Sequence, residues 1–164
     1  MPLIFFKTRG FCLLVLLLLA IFNIGCFKPL QVKGDCMSHL INDNDKIFVN
    51  KSFGELKRND VIAFRYPKDE GYWYIQRIIG LPNETIEIRE QKVFINGEEL
   101  AETYVDSALN QKKFDVPKTK IPEDNYFVMG DNRDNSSDSR YWGTVKKELV
   151  EGVYSYTYWK ASAK

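Results

Sequence analysis

The chain has 164 residues, of which 45% are apolar and 27% charged. That is the make-up of one compact domain with a small appendage, and it excludes wholesale disorder, a multidomain machine and a multi-spanning membrane bundle. With 23 basic against 22 acidic residues the net charge is +1, which leaves no general attraction for nucleic acid.

The first element is apolar. Phe11 to Phe22 carries no polar or charged side chain other than the Cys12 thiol, and Asn23 is the one polar interruption before Phe27. Residues 11–27 therefore reach the lower limit for one membrane crossing. Lys7 and Arg9 place residues 1–10 in the cytoplasm by the positive-inside rule, which sends residues 28–164 across. Small residues of an Ala-x-Ala cleavage site are missing, and Asn23 stands where lipoprotein processing before Cys26 would favour an aliphatic side chain, so the segment is read as a retained signal anchor. The exported part carries 21 basic and 22 acidic groups. Cys36 is its only thiol and His39 its only histidine, so neither a disulfide framework nor a zinc set is expected. No phosphate-cradling glycine loop is present, and no cofactor is expected.

Beyond Phe27 short runs of β-branched and aromatic residues recur at Lys46–Val49, Val61–Phe64, Tyr72–Ile79, Thr85–Ile88, Lys92–Ile95, Tyr126–Met129 and Val153–Trp159. They predict an all-β domain. Arg89 to Lys92 fits a hairpin connection and Asn96-Gly97 a second tight turn. The alternation from Val153 to Tyr158 predicts a late strand with one face buried, its aromatics packing in the core rather than lining a binding surface. Ala101 to Glu123 reads as an insertion or long excursion from the sheet.

Three blocks carry the chemistry: Gly34 to Asp45, then Tyr74-Ile75-Gln76-Arg77-Ile78-Ile79-Gly80-Leu81-Pro82, then Gly130 to Gly143 with Asp131, Ser136, Asp138 and Arg140. In this order, behind an N-terminal anchor, they closely resemble the type I signal peptidases, from about residue 32 to Trp159. The resemblance implies antiparallel sheets with an apolar edge that touches lipid. It also implies an extracytoplasmic serine peptidase in which a desolvated lysine takes the proton of a serine hydroxyl, acting on exported preproteins with small side chains before the scissile bond.

The two positions that perform that chemistry differ here. The family's nucleophile block reads Ser-Met-x-Pro-Thr-Leu, and this chain has Cys36-Met37-Ser38-His39-Leu40-Ile41. The family's base precedes the arginine of the second block, and this chain has Gln76 before Arg77. A carboxamide has no proton-accepting nitrogen near neutral pH. His39 lies three residues from Cys36 and invites a Cys/His pairing. In an extended chain that odd spacing puts the two on opposite faces, whereas a turn would reverse the conclusion. By resemblance Ser136 holds the hydroxyl that orients the base, and Gly34, Met37, Arg77, Asp131, Asp138 and Arg140 form the scaffold around it. Their charged groups are read as structure rather than as an acid/base pair. Asn44 and Asn83 replace glycines of the family pattern at turns that asparagine's left-handed tolerance can preserve.

An altered dyad on an intact scaffold resembles the signal-peptidase-like accessory proteins of pilus assembly in Gram-positive bacteria, which act beside sortases as chaperones for pilin subunits. The expectation is a membrane-anchored, non-catalytic chaperone or assembly factor for secreted or pilin subunits. The alternative is an atypical signal peptidase in which Cys36 attacks.

Overall fold

The computed structural model describes residues 25–161. The expected anchor at 11–27 falls almost wholly on residues outside these. Among the described residues no helix is long and apolar enough to cross a membrane.

Eleven strands of the described residues form two antiparallel sheets: β1 Phe27–Gln31, β2 Lys46–Asn50, β3 Val61–Tyr66, β4 Asp69–Gly80, β5 Thr85–Arg89, β6 Lys92–Ile95, β7 Glu98–Glu99, β8 Val116–Lys120, β9 Asn125–Met129, β10 Val145–Lys146 and β11 Val150–Trp159. The larger sheet runs β1-β2-β11-β3-β4-β9-β10 and the smaller β7-β6-β5-β8. A single helical turn, α1 Ser139–Trp142, follows β9. All seven expected strands are present, and the all-β reading holds.

Period-two alternation sorts side chains into three cores. Ile62 and Phe64 of β3 join Ile78, Val128 and Val150 in one, while Val61 and Ala63 of the same strand join Val32, Met37, Ile41 and Ile47 in another. β9 divides likewise: Tyr126 and Val128 enter the first core, and Phe127 and Met129 face Ile79, Ile86, Ile95 and Ile121 between the two sheets. β3, β9 and the C-terminal end of β4 are thus buried on both faces, which fixes register, since a slip of one residue would exchange the two sets.

Turn chemistry agrees with the sequence. Glu90 and Gln91 both have positive φ in the two-residue hairpin between Arg89 and its partner Lys92, as do Asn96 and Gly97 between β6 and β7. Asn44 and Asn83 sit at φ 66° and 68°, the left-handed backbone that the replaced glycines would supply.

Two expectations are corrected. The stretch 101–123 returns to the smaller sheet as β8, whose Thr119 and Val116 pair with Ile86 and Ile88. Of the β11 aromatics only Tyr154 packs against a core, the one around Met37 and Ile47, whereas Tyr156, Tyr158 and Trp159 are each about half exposed. β11 pairs with β3 only from Val150 to Val153, and beyond it the ladder with β2 is interrupted by bulges, so alternation is lost toward the strand end. Tyr156, Tyr158 and Phe27 surround Phe48, at centroid distances of 5.4, 4.5 and 6.5 Å.

Candidate active site

The three blocks converge on the C-terminal half of β4. Asn132 N–H donates to the Cys36 carbonyl at 2.9 Å, which ties the 130–140 segment to the Cys36 loop. Gly130 sits between them. A Cβ there would stand 2.5 Å from both the Cys36 carbonyl oxygen and Ser136 Oγ, so only glycine lets the two segments approach. Met37, fully buried, anchors the Cys36 loop, and the Ile41 N–H donates to the Met37 carbonyl at 2.9 Å to close its turn. Gly34 takes φ 91° and its N–H donates to Asp43 Oδ1 at 2.9 Å.

Two buried ion pairs frame the site. Arg77 makes a fork onto Asp131, with Nε to Oδ1 at 2.8 Å and the second bond at 2.5 Å, and a further bond to the Asn59 carbonyl at 2.9 Å. Arg140 grips Asp138 at 2.8 and 2.9 Å, and Asp138 also caps α1 through Arg140 N–H and accepts from Gly130 N–H. Bidentate geometry orients both partners, and each charge is compensated where it is buried. A third buried pair, Arg133 with Glu102 at 2.6 and 2.9 Å, attaches the segment to the 101–115 excursion. This pair was not singled out in the sequence, because nothing local marks Glu102 as a partner of a residue 31 positions away.

Inside this frame Gln76 is 1% exposed. Its Nε2 donates to the Ser137 carbonyl at 2.8 Å and to Ser136 Oγ at 3.3 Å. Cys36 lies across from it on the wall of a cavity of about 540 Å³, lined also by Leu30, Ala63, Trp73, Ile75 and Ser137. The thiol donates to the Ile75 carbonyl at 3.7 Å. Burial first, and then the Asp138, Asp131 and Asp35 carboxylates, push the Cys36 thiol up to about 11. At neutral pH roughly one thiol in ten thousand is ionised. Lys33, the only amine among the described residues lining the cavity, gives its ammonium to Asn44 Oδ1. A folded-chain alkylation with iodoacetamide is therefore expected to run about a hundredfold slower at Cys36 than at an unshifted thiol, and to accelerate as pH rises toward 11. Peptide mapping after timed quenching measures this, and fast labelling at neutral pH would contradict the buried, protonated thiol.

His39 is in a turn but looks the other way. Its φ is 83°, a conformation closed to proline, and Nε2 is 3.2 Å from Asp106 Oδ2. It borders a second cavity with Arg77, Tyr104 and Asp131, while Cys36 and Gln76 border the first. The loop geometry thus brings Cys36, Gln76 and Ser136 together and leaves His39 outside. Among the described residues no group of three or more His, Cys, Asp or Glu could hold a metal ion.

The cavity also exposes a strand edge. Ile78 N–H donates to the Asp60 carbonyl, so in the antiparallel register Gln76 faces Ile62 within the ladder, and the main-chain groups of Trp73 and Ile75 point away from β3. β9 pairs with β4 only from Arg77 to Gly80. The Trp73 and Ile75 groups therefore open onto the cavity.

A half-buried thiol and a buried carboxamide thus stand at the rim of an apolar cleft, beside an open strand edge and inside a frame of arginine–carboxylate forks. The sequence profile described as "Signal peptidase, peptidase S26" matches residues 6–159, and the chain belongs to that family. It is 36% identical over 165 residues to signal peptidase I P of Bacillus subtilis subsp. natto, covering 94% of this chain and 88% of that protein. To signal peptidase I S of Bacillus subtilis (strain 168) it is 33% identical over 166 residues, covering 93% and 87%. The crystal structure of a signal peptidase I from Enterococcus faecalis V583 superposes with a TM-score of 0.57 at 40% identity, over 63% of this chain and 100% of that one.

Proposed function

We propose that this protein binds extended segments of exported polypeptides in its groove without hydrolysing them, and serves as a membrane-anchored chaperone or assembly factor. The observation that carries the reading is Gln76. Both bonds made by its amide to the Ser136–Ser137 turn are donations, and an amide nitrogen cannot take a proton from a nucleophile near neutral pH. Cys36 keeps its proton on sulfur, and His39 is committed to Asp106 on the other side of the loop. Binding does not need that proton transfer. The Trp73 and Ile75 edge can add a guest strand by main-chain hydrogen bonds, and the apolar cavity can take its side chains. Pilin subunits handled beside a sortase are the cargo suggested by the relatives with an altered dyad.

The location proposed is the cell membrane, single-pass, with residues 1–10 cytoplasmic and the β domain outside. The ring cluster around Phe48 supports it. Phe27, the end of the expected anchor, packs edge-on against Phe48, and Lys46 lies over Trp159 at 5.0 Å, so exposed aromatics and a cation stand where the chain would leave the bilayer.

The second reading is an atypical signal peptidase using Cys36, favoured by the family membership and by the intact ion-pair frame. Incubating the full chain in detergent micelles with a signal-peptide precursor separates the two. Binding with no product is the expected result. Product formation that disappears when Cys36 is alkylated beforehand at about pH 9 would establish the peptidase instead.

A further inference from the structure

The orientation of the Gln76 amide is fixed by its neighbour. The Ser137 carbonyl can only accept, so the NH2 group faces it at 2.8 Å, and the amide oxygen Oε1 is left buried with no donor. On the wall of the same cavity the Cys36 S–H, a weak donor, occupies the carbonyl of Ile75, the residue before Gln76, at 3.7 Å, an acceptor on the open edge of β4. Both residues are held against one turn. Gly130 has Cys36 O and Ser136 Oγ at the same 2.5 Å from its would-be Cβ, and Gln76 Nε2 reaches that Ser136 Oγ at 3.3 Å. The groove thus contains one acceptor served by a poor donor and one served by none among the described residues.

We propose that Gln76 and Cys36 form a recognition pair: a guest strand takes the Ile75 carbonyl with a backbone N–H, and the displaced Cys36 S–H turns to Gln76 Oε1. The inference rests on the binding function proposed above and names the residues that sense occupancy. No covalent bond breaks and the proton stays on sulfur throughout. The guest N–H is a stronger donor than the thiol, and the transfer satisfies an oxygen that is otherwise buried at a cost. The high proton affinity of the buried thiol keeps the S–H available for this exchange.

The test uses the full chain in detergent micelles, isotope-labelled at the Gln76 side-chain carbonyl carbon and the Ile75 main-chain carbonyl carbon. It is titrated with a synthetic signal-peptide segment that has alanine at alternate positions near its end. Both resonances are expected to move together as the groove fills. Cys36→Ala should leave the Gln76 resonance stationary and weaken binding about threefold to tenfold. Cys36→Ser, which retains a donor, should keep both the joint movement and the affinity. Peptide binding to the unaltered chain with a stationary Gln76 resonance would overturn the exchange while leaving the binding function standing. Failure of the peptide to bind at all would remove both.

Discussion

Asp131→Ala is expected to destabilise the fold by about 3–5 kcal/mol, the cost of leaving one member of a buried ion pair without its partner. Arg77 is 9% exposed and Asp131 3% exposed, so water reaching them from the second cavity replaces the missing carboxylate only in part. The Arg77 guanidinium would keep only the Asn59 carbonyl and the Tyr104 ring, whose centroid lies 4.2 Å away. Since a domain of this size is stable by only about 5–15 kcal/mol, much of the folded population is at stake. Urea titration of the full chain in micelles, followed by tryptophan fluorescence, should show the midpoint falling by about 2 M. Removing Arg77 as well, in the Arg77→Ala, Asp131→Ala double variant, should recover part of the loss, because no uncompensated charge is then buried. A loss in the double variant equal to the sum of the losses in Asp131→Ala and Arg77→Ala would show that the pair is not energetically coupled. By contrast Glu148→Ala, which removes the exposed partner of Lys146 at 3.2 Å, should leave the midpoint unchanged.

The largest functional effect is expected from Cys36→Ser combined with Gln76→Lys. The new ammonium would inherit the Gln76 partners, the Ser137 carbonyl and Ser136 Oγ. Burial at a site where Gln76 is 1% exposed would disfavour its charged form and lower its pKa. Asp131 and Asp138, the nearby carboxylates, would oppose that shift weakly, because each is already held by an arginine fork. A positioned general base contributes about a hundredfold to ten-thousandfold. Cleavage of a signal-peptide precursor should therefore appear in the double variant at least about a hundredfold above either single one. Its rate should rise with pH, since the base works only when neutral. A folded, peptide-binding double variant that yields no product would mean that the groove has departed from peptidase geometry beyond the two dyad positions.

The long, strongly patterned strands were legible because most of β3 and β9 and the C-terminal end of β4 are buried on both faces, which demands runs of apolar side chains there. β1, β7, β8 and β10 were not, for the opposite reason. β1 carries Pro29, tolerable because the strand lies at the sheet edge, and β8 reads Val116-Pro117-Lys118-Thr119-Lys120 with four of five residues exposed. An edge strand is held by main-chain pairing, which leaves no mark on side-chain pattern. The same limit explains the misjudged β11 aromatics. Alternation shows that two faces differ, but whether the apolar face is covered depends on which strands reach it.

At the site, residue types alone determined that no amine follows Ile75, that a thiol stands at Cys36, and that the chain belongs among domains built around these three blocks. That much is chemistry of single side chains and of local order. Only the tertiary structure decided that His39 turns to Asp106 rather than to Cys36, that Glu102 completes the frame through Arg133, and that the Gln76 oxygen is buried without a donor. Each of these depends on where segments far apart in the chain come to rest, and no local pattern fixes the distance between a loop and a strand that meet only in the folded protein.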